Sequence, residues 1–214
     1  MLARKIVEKR TRMASTAKRG RPRSDAHDEK RGQIIESCAG LFDKVGYFNT
    51  SMQMLANEVG LGKPTLYHYF PSKISILYAI HDSHISGLLS RLDSHEEEDP
   101  AVALEFACAD ILREIATHPG YVRAFMEHYQ DLEGEMKDNI RAARQAYFKK
   151  IQDLIIKGID SGQFRPFDPL MAAFAFVGIC NWAYKWYPAM SGKRSPEEVA
   201  TALFGPLLHG LEAG

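Results

Sequence analysis

Apolar side chains recur every three to four residues along most of the chain, which is the spacing of one helix face. The first such stripe consists of Ile34, Ile35, Cys38, Leu41, Phe42 and Val45. It predicts a helix over 28–45. Further stripes predict helices over 52–59, 63–70, a long segment that begins after Ser72, 100–117, 120–131, 136–160, 170–187 and 196–211. No segment longer than four residues alternates with the period of a β-strand, so we predict an all-α fold.

Glycine, proline and small polar residues mark the ends of several predicted helices. Gly60 allows the turn after the second helix to adopt a positive φ. Thr50 or Ser51 can cap the second helix, because a side-chain oxygen at that position accepts a bond from a free N–H. The last helix begins with a capping-box pattern over 195–198. We expect the Gly-Pro pair at 205–206 to interrupt and kink it.

Three short helices joined by tight turns, the second turn containing glycine, predict a helix-turn-helix unit. Residues 50–73 read TSMQMLANEVGLGKPTLYHYFPSK. With Phe42 and Gly46, this pattern resembles the DNA-binding signature of the TetR family of bacterial regulators. The resemblance implies a disordered basic arm over 1–27, a three-helix helix-turn-helix DNA-binding domain over 28–73, and a larger helical ligand-binding and dimerisation domain over 74–214.

The resemblance also assigns roles to residues around the third helix. Phosphate contacts fix the register of a protein on DNA, whereas contacts with base edges read the sequence. By resemblance, the phosphate contacts come from Thr50, Tyr69 and Lys73, and the base contacts from Lys63, Thr65 and His68. Ser51, Pro64 and Tyr67 complete the expected DNA-binding set. For Tyr67 and Tyr69, core packing remains an open alternative.

The charge is distributed unevenly, although 27 basic residues balance 27 acidic residues over the whole chain. Residues 1–24 contain nine basic side chains and one acidic side chain, a net charge of +8, while residues 25–73 carry −1 and residues 74–214 carry −7. An acidic body is repelled by DNA, so we expect the arm to provide most of the electrostatic steering. Its three arginines, Arg19, Arg21 and Arg23, form an Arg-Gly-Arg-Pro-Arg pattern. They either enter an A·T-rich minor groove or act as a non-specific tether.

Aromatic residues are concentrated in the larger C-terminal part, where most belong to an ordinary core. The stretches over 162–169, 182–188 and 195–200 are similar to a TetR subgroup associated with fatty-acid and steroid breakdown, whose members often respond to acyl-CoA thioesters. This resemblance implies a small hydrophobic or acyl-CoA-type effector. The candidate pocket residues are Phe125, Tyr129, Tyr147, Phe174 and Trp182, with Arg123, Arg141 and Arg144 as candidates for the phosphates. For each arginine, a solvated helix face is the alternative.

Other classes of protein find little support in the sequence. There is no nucleophile elbow, P-loop, dinucleotide fingerprint or HExxH motif, and we predict a protein that is not an enzyme and has no cofactor. His81 and His84 lie three apart, but no third metal ligand is identifiable, so we expect no metal. Three widely spaced cysteines fit a reducing compartment. The longest apolar run, over 170–180, is shorter than the ~20 residues that span a bilayer.

These observations predict a cytoplasmic, nucleoid-associated bacterial regulator, most often a repressor in this family. It would form a homodimer through its last two helices and bind a palindromic operator in double-stranded DNA. A small-molecule effector would release it from the operator. No membrane partner is expected. The alternative is a ligand-independent architectural DNA-binding protein that is driven by its basic arm.

Overall fold

The computed structural model describes residues 23–95, 99–190 and 192–211, with side chains placed from 26 to 205 within these ranges. The chain divides after Gln33 into two units, and the described part of the first unit, residues 23–33, is helical. Within the described ranges the α-helices are α1 (Arg23–Val45), α2 (Met52–Glu58), α3 (Lys63–Tyr69), α4 (Lys73–Asp93), α5 (Pro100–Thr117), α6 (Pro119–Glu127), α7 (Gly134–Asp160), α8 (Pro169–Trp186) and α9 (Pro196–Leu211). Short 3₁₀ turns lie at Tyr129–Asp131 and Tyr187–Ala189.

The all-α prediction is confirmed, and the predicted helices agree with the observed ones apart from three differences. α1 begins at Arg23, earlier than predicted, because its first residues are polar and add nothing to the apolar stripe. The helix predicted over 120–131 ends at Glu127 and is followed by a 3₁₀ turn. The predicted interruption at residues 205–206 is wrong, since α9 runs continuously from Pro196 to Leu211.

Side-chain caps explain where several helices begin. Ser51 accepts a hydrogen bond from the Met54 N–H and so caps α2. At α4, Ser72 and Ser75 form a reciprocal capping box. Asp99 and Asp168 each cap a helix whose first residue is proline, which lacks the N–H that would otherwise need a partner. The capping box predicted at α9 is confirmed, because Ser195 and Glu198 each accept a hydrogen bond from the other's N–H.

The core of the second unit runs from α1 through α4 into the C-terminal helices. The α2–α3 segment contributes Leu55, Ala56, Leu66 and Phe70 to this core, and α4 contributes Ile76 and Leu77. α4 therefore belongs to both parts: it begins beside the short helices and ends among α5, α6 and α7, with which it is packed. Within the described residues, no helix combines the length and apolar character that crossing a bilayer requires.

The N-terminus of α6 lies against the backbone of α1. A Cβ atom added to Gly120 would be 2.5 Å from the Ala39 carbonyl oxygen, so only glycine fits without a shift in the backbone. On either side of this contact, Arg123 pairs with Asp43 at 3.0 Å and the His118 Nε2 lies 3.8 Å from a Glu36 carboxylate oxygen. We call this set of contacts the α1–α6 junction. It is a second connection, besides α4, between the short N-terminal helices and the C-terminal bundle.

Candidate functional site

The α2–turn–α3 unit has the geometry of a helix-turn-helix. Leu55 and Ala56 of α2 and Leu66 of α3 are completely buried, which fixes the two helices together. Gly60 in the connecting turn has a φ of +66°, as the sequence predicted, and this value favours glycine over any residue with a Cβ. With Leu66 facing inward, the side chains of residues 63–65, 67 and 68 of this two-turn helix are exposed.

The exposed face of α3 carries most of the predicted DNA-binding residues. The exposed residues in this set are Lys63, Pro64, Thr65, Tyr67 and His68, together with Ser51 at the start of α2. Tyr67 is 42% exposed, so it lies on the surface rather than in the core. Tyr69 is half-buried and packs against the core. The α3 surface therefore combines a cation, hydroxyl groups and an imidazole on one rigid element, which suits the edges of bases in a major groove.

Two predicted phosphate ligands are engaged within the protein. The Thr50 side chain is buried, and its hydroxyl donates to the Gly46 carbonyl oxygen at 2.8 Å. The Lys73 Nζ donates to the carbonyl oxygens of Tyr47 and Thr50 at 2.8 and 2.9 Å and lies 4.4 Å from the centre of the Tyr47 ring. Burial lowers the pKa of Lys73. Both residues thus hold the loop over 46–50 in place, and Lys73 retains one N–H for a further partner.

The arm contributes little to the described surface. Arg19 and Arg21 lie outside the described residues. Arg23 is the first residue of α1, and its side chain lies outside the described part. The choice between a minor-groove contact and a non-specific tether therefore stays a prediction from the sequence.

A cavity of about 470 Å³ lies among α4, α5, α6, α7 and α8, within the range typical of small-molecule sites. Its wall is mostly aliphatic and aromatic. The predicted pocket residues that line it are Phe125, Tyr129, Tyr147, Phe174, Arg141 and Arg144. Five consecutive helices thus meet around one apolar space, and α4 and α6 are among them.

Two predicted pocket residues lie elsewhere. Trp182 is 64% exposed and is not part of the cavity wall, because it lies on the outward face of α8. Arg123 points away from the cavity to its ion pair with Asp43 in the α1–α6 junction. Both residue types are suitable for a ligand site, but both side chains lie on helix faces that point away from the cavity.

Sequence reasoning missed the contribution of α4 to the cavity wall. His84, Ile85 and Leu88 line the cavity from this helix, and His84 is 4% exposed. The signal in the sequence is their spacing, which places all three on one helix face, whereas the pairing of His84 with His81 suggests only an incomplete metal site. No group of three or more potential metal ligands is found within the described ranges.

Arg144 is the cation most closely associated with the cavity. Its guanidinium carbon lies 4.7 Å from the centre of the Phe125 ring and 4.6 Å from that of Tyr129. Burial lowers the pKa of Arg144, but an arginine remains charged at neutral pH. Arg141, one turn earlier, pairs with Asp138 at 3.0 Å. Cation–π contacts hold the Arg144 side chain in place and leave its N–H groups available for an anion.

A cluster of charged side chains lies beside His84. The Arg91 guanidinium lies 3.2 Å from a carboxylate oxygen of Glu114 and 3.7 Å from one of Asp110. The His84 Nδ1 is 3.8 Å from the other Glu114 oxygen, beyond hydrogen-bonding distance. Farther along α4, His81 is fully buried, and its ring lies 5.2 Å from that of Phe125. Burial, followed by the charge of Arg144, lowers the pKa of His81 to about 3.

The cavity and the helix-turn-helix share two structural elements. α4 begins with Lys73, which holds the loop before α2, and continues to the cavity wall at His84. α6 contributes Val122, Phe125 and Met126 to the same wall, and its N-terminus forms the α1–α6 junction. A displacement of either helix by a ligand would reach the DNA-binding segment directly.

Two family models match the chain. One, described as "Bacterial regulatory proteins, tetR family", matches residues 34–80, and the other, "Tetracyclin repressor-like, C-terminal domain", matches residues 97–211. A transcriptional repressor of Mycobacterium tuberculosis, KstR2, is 22% identical over 188 residues, which are 86% of this chain and 94% of that protein.

Solved structures have the same architecture. The TetR-family regulator PfmR from Thermus thermophilus superimposes with a TM-score of 0.78 at 32% identity, covering 84% of this chain and 99% of that chain. AibR, in complex with isovaleryl coenzyme A and operator DNA, superimposes with a TM-score of 0.73 at 26% identity, covering 82% and 96%.

The matched models cover the helix-turn-helix, the first residues of α4, and α5 to α9. The C-terminal model alone covers more than half of the chain. Members of this family are transcriptional regulators and not enzymes. The chain belongs to the TetR family of bacterial transcriptional regulators.

Proposed function

We propose that this protein is a ligand-responsive repressor that binds a palindromic operator as a homodimer in the cytoplasm. The observation that carries the proposal is one cavity whose wall contains both α4 and α6, the two helices that reach the DNA-binding segment. A ligand changes DNA affinity only by binding one conformation more tightly than another. A ligand that displaces α4 or α6 meets that requirement, because the recognition helix moves with them.

The base-reading residues in this proposal are Lys63, Thr65 and His68, supported by Ser51, Pro64 and Tyr67 around them. All are exposed on or beside α3. A homodimer supplies two such surfaces, about one helical turn of DNA or ~34 Å apart, which is the spacing of half-sites in a palindrome. The proposal assigns phosphate contacts at the edge of this surface to the remaining N–H of Lys73 and to the half-buried Tyr69.

An uncovered apolar stripe supports the dimer. Met171 and Trp182 are 54% and 64% exposed on α8, and their spacing of eleven residues, about three helical turns, places them on one helix face. Large exposed apolar side chains in a row are typical of protein interfaces. α8 and α9 are the last two helices, so a second copy seated on α8 matches the dimerisation mode expected from the sequence.

The proposed effector is an acyl-CoA-type or other small hydrophobic molecule. The apolar wall suits an acyl chain, and Arg141 and Arg144 provide cationic groups for an anionic part of the ligand. Isovaleryl coenzyme A bound to the similar AibR supports this class. That complex also contains operator DNA, so the effect of ligand on DNA affinity has to be measured for this protein.

The test begins with an operator selected from random DNA and titrated with the full-length protein while acyl-CoAs of increasing chain length are added. We expect at least one acyl-CoA to weaken operator binding about tenfold or more. Ile111→Phe, which fills part of the cavity, should abolish this response, whereas Val102→Phe on the exposed face of the same helix should preserve it. Equal responses in the two variants would place the effector site elsewhere.

The architectural alternative makes the opposite prediction. A protein driven by its arm would bind operator and random DNA equally and would ignore every acyl-CoA. Removing residues 1–22 would then abolish binding. In a ligand-responsive repressor, the same deletion leaves the operator footprint intact and only flattens the dependence of affinity on salt, because fewer counterions are released.

A further inference from the structure

The cavity wall carries positive charge that no carboxylate of the wall balances. Within the described part of the chain, the wall contains two arginines, Arg141 and Arg144, and no aspartate or glutamate. Arg141 is exposed and is already paired with Asp138 at 3.0 Å. Arg144 is half-buried one turn further along α7, and among the described residues it has neither an ion pair nor a hydrogen bond. Arg144 is therefore the cation of this wall whose charge is uncommitted.

Arg144 has lost solvent without gaining a counter-charge. Burial is the main cause of its lowered pKa, and Tyr129 is the other contributing group. The guanidinium lies over the rings of Phe125 and Tyr129, and such cation–π contacts offset part of the cost of desolvation. Charges that are taken out of water in proteins are normally paired. The environment of Arg144 therefore favours an anion that comes from outside the protein.

A molecule in the cavity can reach the N–H groups of Arg144. The residue lines the cavity, and its nitrogen atoms are not among the fully buried polar atoms that lack a partner, so they retain accessible surface. The contacts with the two aromatic rings restrict the plane of the guanidinium. N–H groups held in one plane suit a pair of parallel hydrogen bonds to the oxygens of one anionic group.

Polar and apolar groups occupy different parts of the wall. Arg141, Arg144 and Gln145 lie on one face of α7, and the first and last of them are exposed, so the cavity meets solvent along this face. The buried side chains of Ile111 and Ile115 on α5 belong to the apolar part of the wall. A ligand with an apolar body and one anionic end matches both parts.

We propose that the cavity selects a hydrophobic ligand with an anionic oxygen group at one end, and that Arg144, rather than Arg141, binds this group through two hydrogen bonds. The carboxylate of a free acid and a phosphate of coenzyme A both provide such oxygens. An uncharged hydrophobic molecule fills the apolar part of the cavity but leaves Arg144 unpaired. This inference rests on the proposed function, in which the cavity is the effector site, and it narrows the effector from any small hydrophobic molecule to an amphiphilic anion.

The first test compares octanoate with octanamide, which have nearly the same shape and differ in charge. Calorimetry with the full-length protein measures the affinity of each probe. Octanoate should bind about tenfold more tightly than octanamide or better, and Arg144→Gln should remove this preference. Arg141→Gln is the matched control, because it removes a wall arginine that is already paired, and it should keep the preference. Since the preference is a ratio measured within one variant, a change in the folded fraction does not alter it.

A second pair of probes identifies the source of the anionic group. Octanoyl-coenzyme A and octanoyl-pantetheine share the acyl thioester, and only the first carries phosphates. A preference that depends on Arg144 within the octanoate pair assigns a carboxylate to the site, whereas one within the thioester pair assigns a phosphate. The inference is wrong if neither pair shows a preference that depends on Arg144, or if Arg141→Gln reduces the preference equally.

The inference and the proposed function fail separately. Release of the operator by an acyl-CoA that is unchanged in Arg144→Gln would contradict only the role of Arg144. A charge preference that depends on Arg144, without any effect of ligands on operator binding, would contradict the ligand-responsive repressor and leave the role of Arg144 supported.

Discussion

The recognition helix and the cavity show two different ways in which a sequence encodes a site. α3 is seven residues long, and its exposed side chains follow directly from a contiguous motif, because one buried residue, Leu66, fixes the orientation of the rest. The cavity is assembled from five helices that span about 100 residues, and each contributes only two to five residues. A substitution on α3 should therefore change DNA binding without changing stability, whereas substitutions in the C-terminal helices should change folding, assembly or both.

Trp182→Arg should have the largest effect and tests whether the C-terminal helices control DNA binding through assembly. A charge within the proposed α8 interface should disrupt the dimer and weaken operator binding about a hundredfold or more, since both half-sites are no longer bound together. Sedimentation and operator titration measure the two effects. Ile156→Arg, at an exposed aliphatic position on α7, is the matched control. A Trp182→Arg variant that stays dimeric would place the interface elsewhere.

Lys73→Met should change both DNA binding and stability, because Lys73 belongs to the DNA-binding motif but also forms hydrogen bonds within the fold. Loss of its two hydrogen bonds to loop carbonyls should lower the free energy of unfolding by about 1–3 kcal/mol. Affinity for operator and for random DNA should fall by the same factor. Urea unfolding and DNA titrations provide the measurements, with Lys193→Met as an exposed control. Unchanged stability would mean that Lys73 serves DNA alone.

The buried His81 of α4 should make the stability of the protein depend on pH. Its pKa of about 3 lies below the ordinary 6.5, so the unfolded chain binds a proton that the folded chain excludes. The contribution of His81 to the free energy of unfolding is therefore retained above pH 6.5 and is lost as the pH falls towards 3. Between pH 6.5 and 5 this group should remove about 1.5 kcal/mol from the free energy of unfolding.

The measurement for His81 is the pH dependence of urea unfolding. His81→Phe should flatten the dependence in this window, and replacement of the half-exposed His27 by Gln provides a control for loss of a histidine from the surface. Identical pH profiles for the His81→Phe variant and the unmodified protein would show that His81 binds its proton equally in both states.

His68→Ala should have the smallest effect and isolates the recognition surface. Its ring is exposed on α3, so removing it should change the free energy of unfolding by less than about 0.5 kcal/mol. Operator affinity should fall about tenfold, as expected for one base contact, while affinity for random DNA stays the same. Competition between the two DNAs measures the difference. Equal losses on both would assign His68 to phosphate contacts.

The same contrast explains what the sequence could and could not predict. Helix ranges and the helix-turn-helix were predictable, because periodicity, caps and Gly60 act over a few residues. The roles of Thr50 and Lys73 were harder, since their hydrogen bonds join residues up to 26 apart. Cavity residues such as Phe125 and Tyr147 could be proposed from residue type. Trp182 could not be excluded without knowing which face of α8 turns outward.

The close approach of Gly120 to the Ala39 carbonyl has a consequence for protein engineering. A chimaeric regulator can be designed by exchanging the helix-turn-helix segments of two related proteins, as if each segment were an independent module. Here such an exchange would replace the α1 surface that lies against α6, and the space between the two helices at Gly120 is too small for even one methyl group. A chimaera that joins a foreign α1 to this bundle would need a small residue and an unhindered carbonyl at the same place. The natural unit of exchange is therefore the short helices together with their α6 partner, two segments that are far apart in the gene.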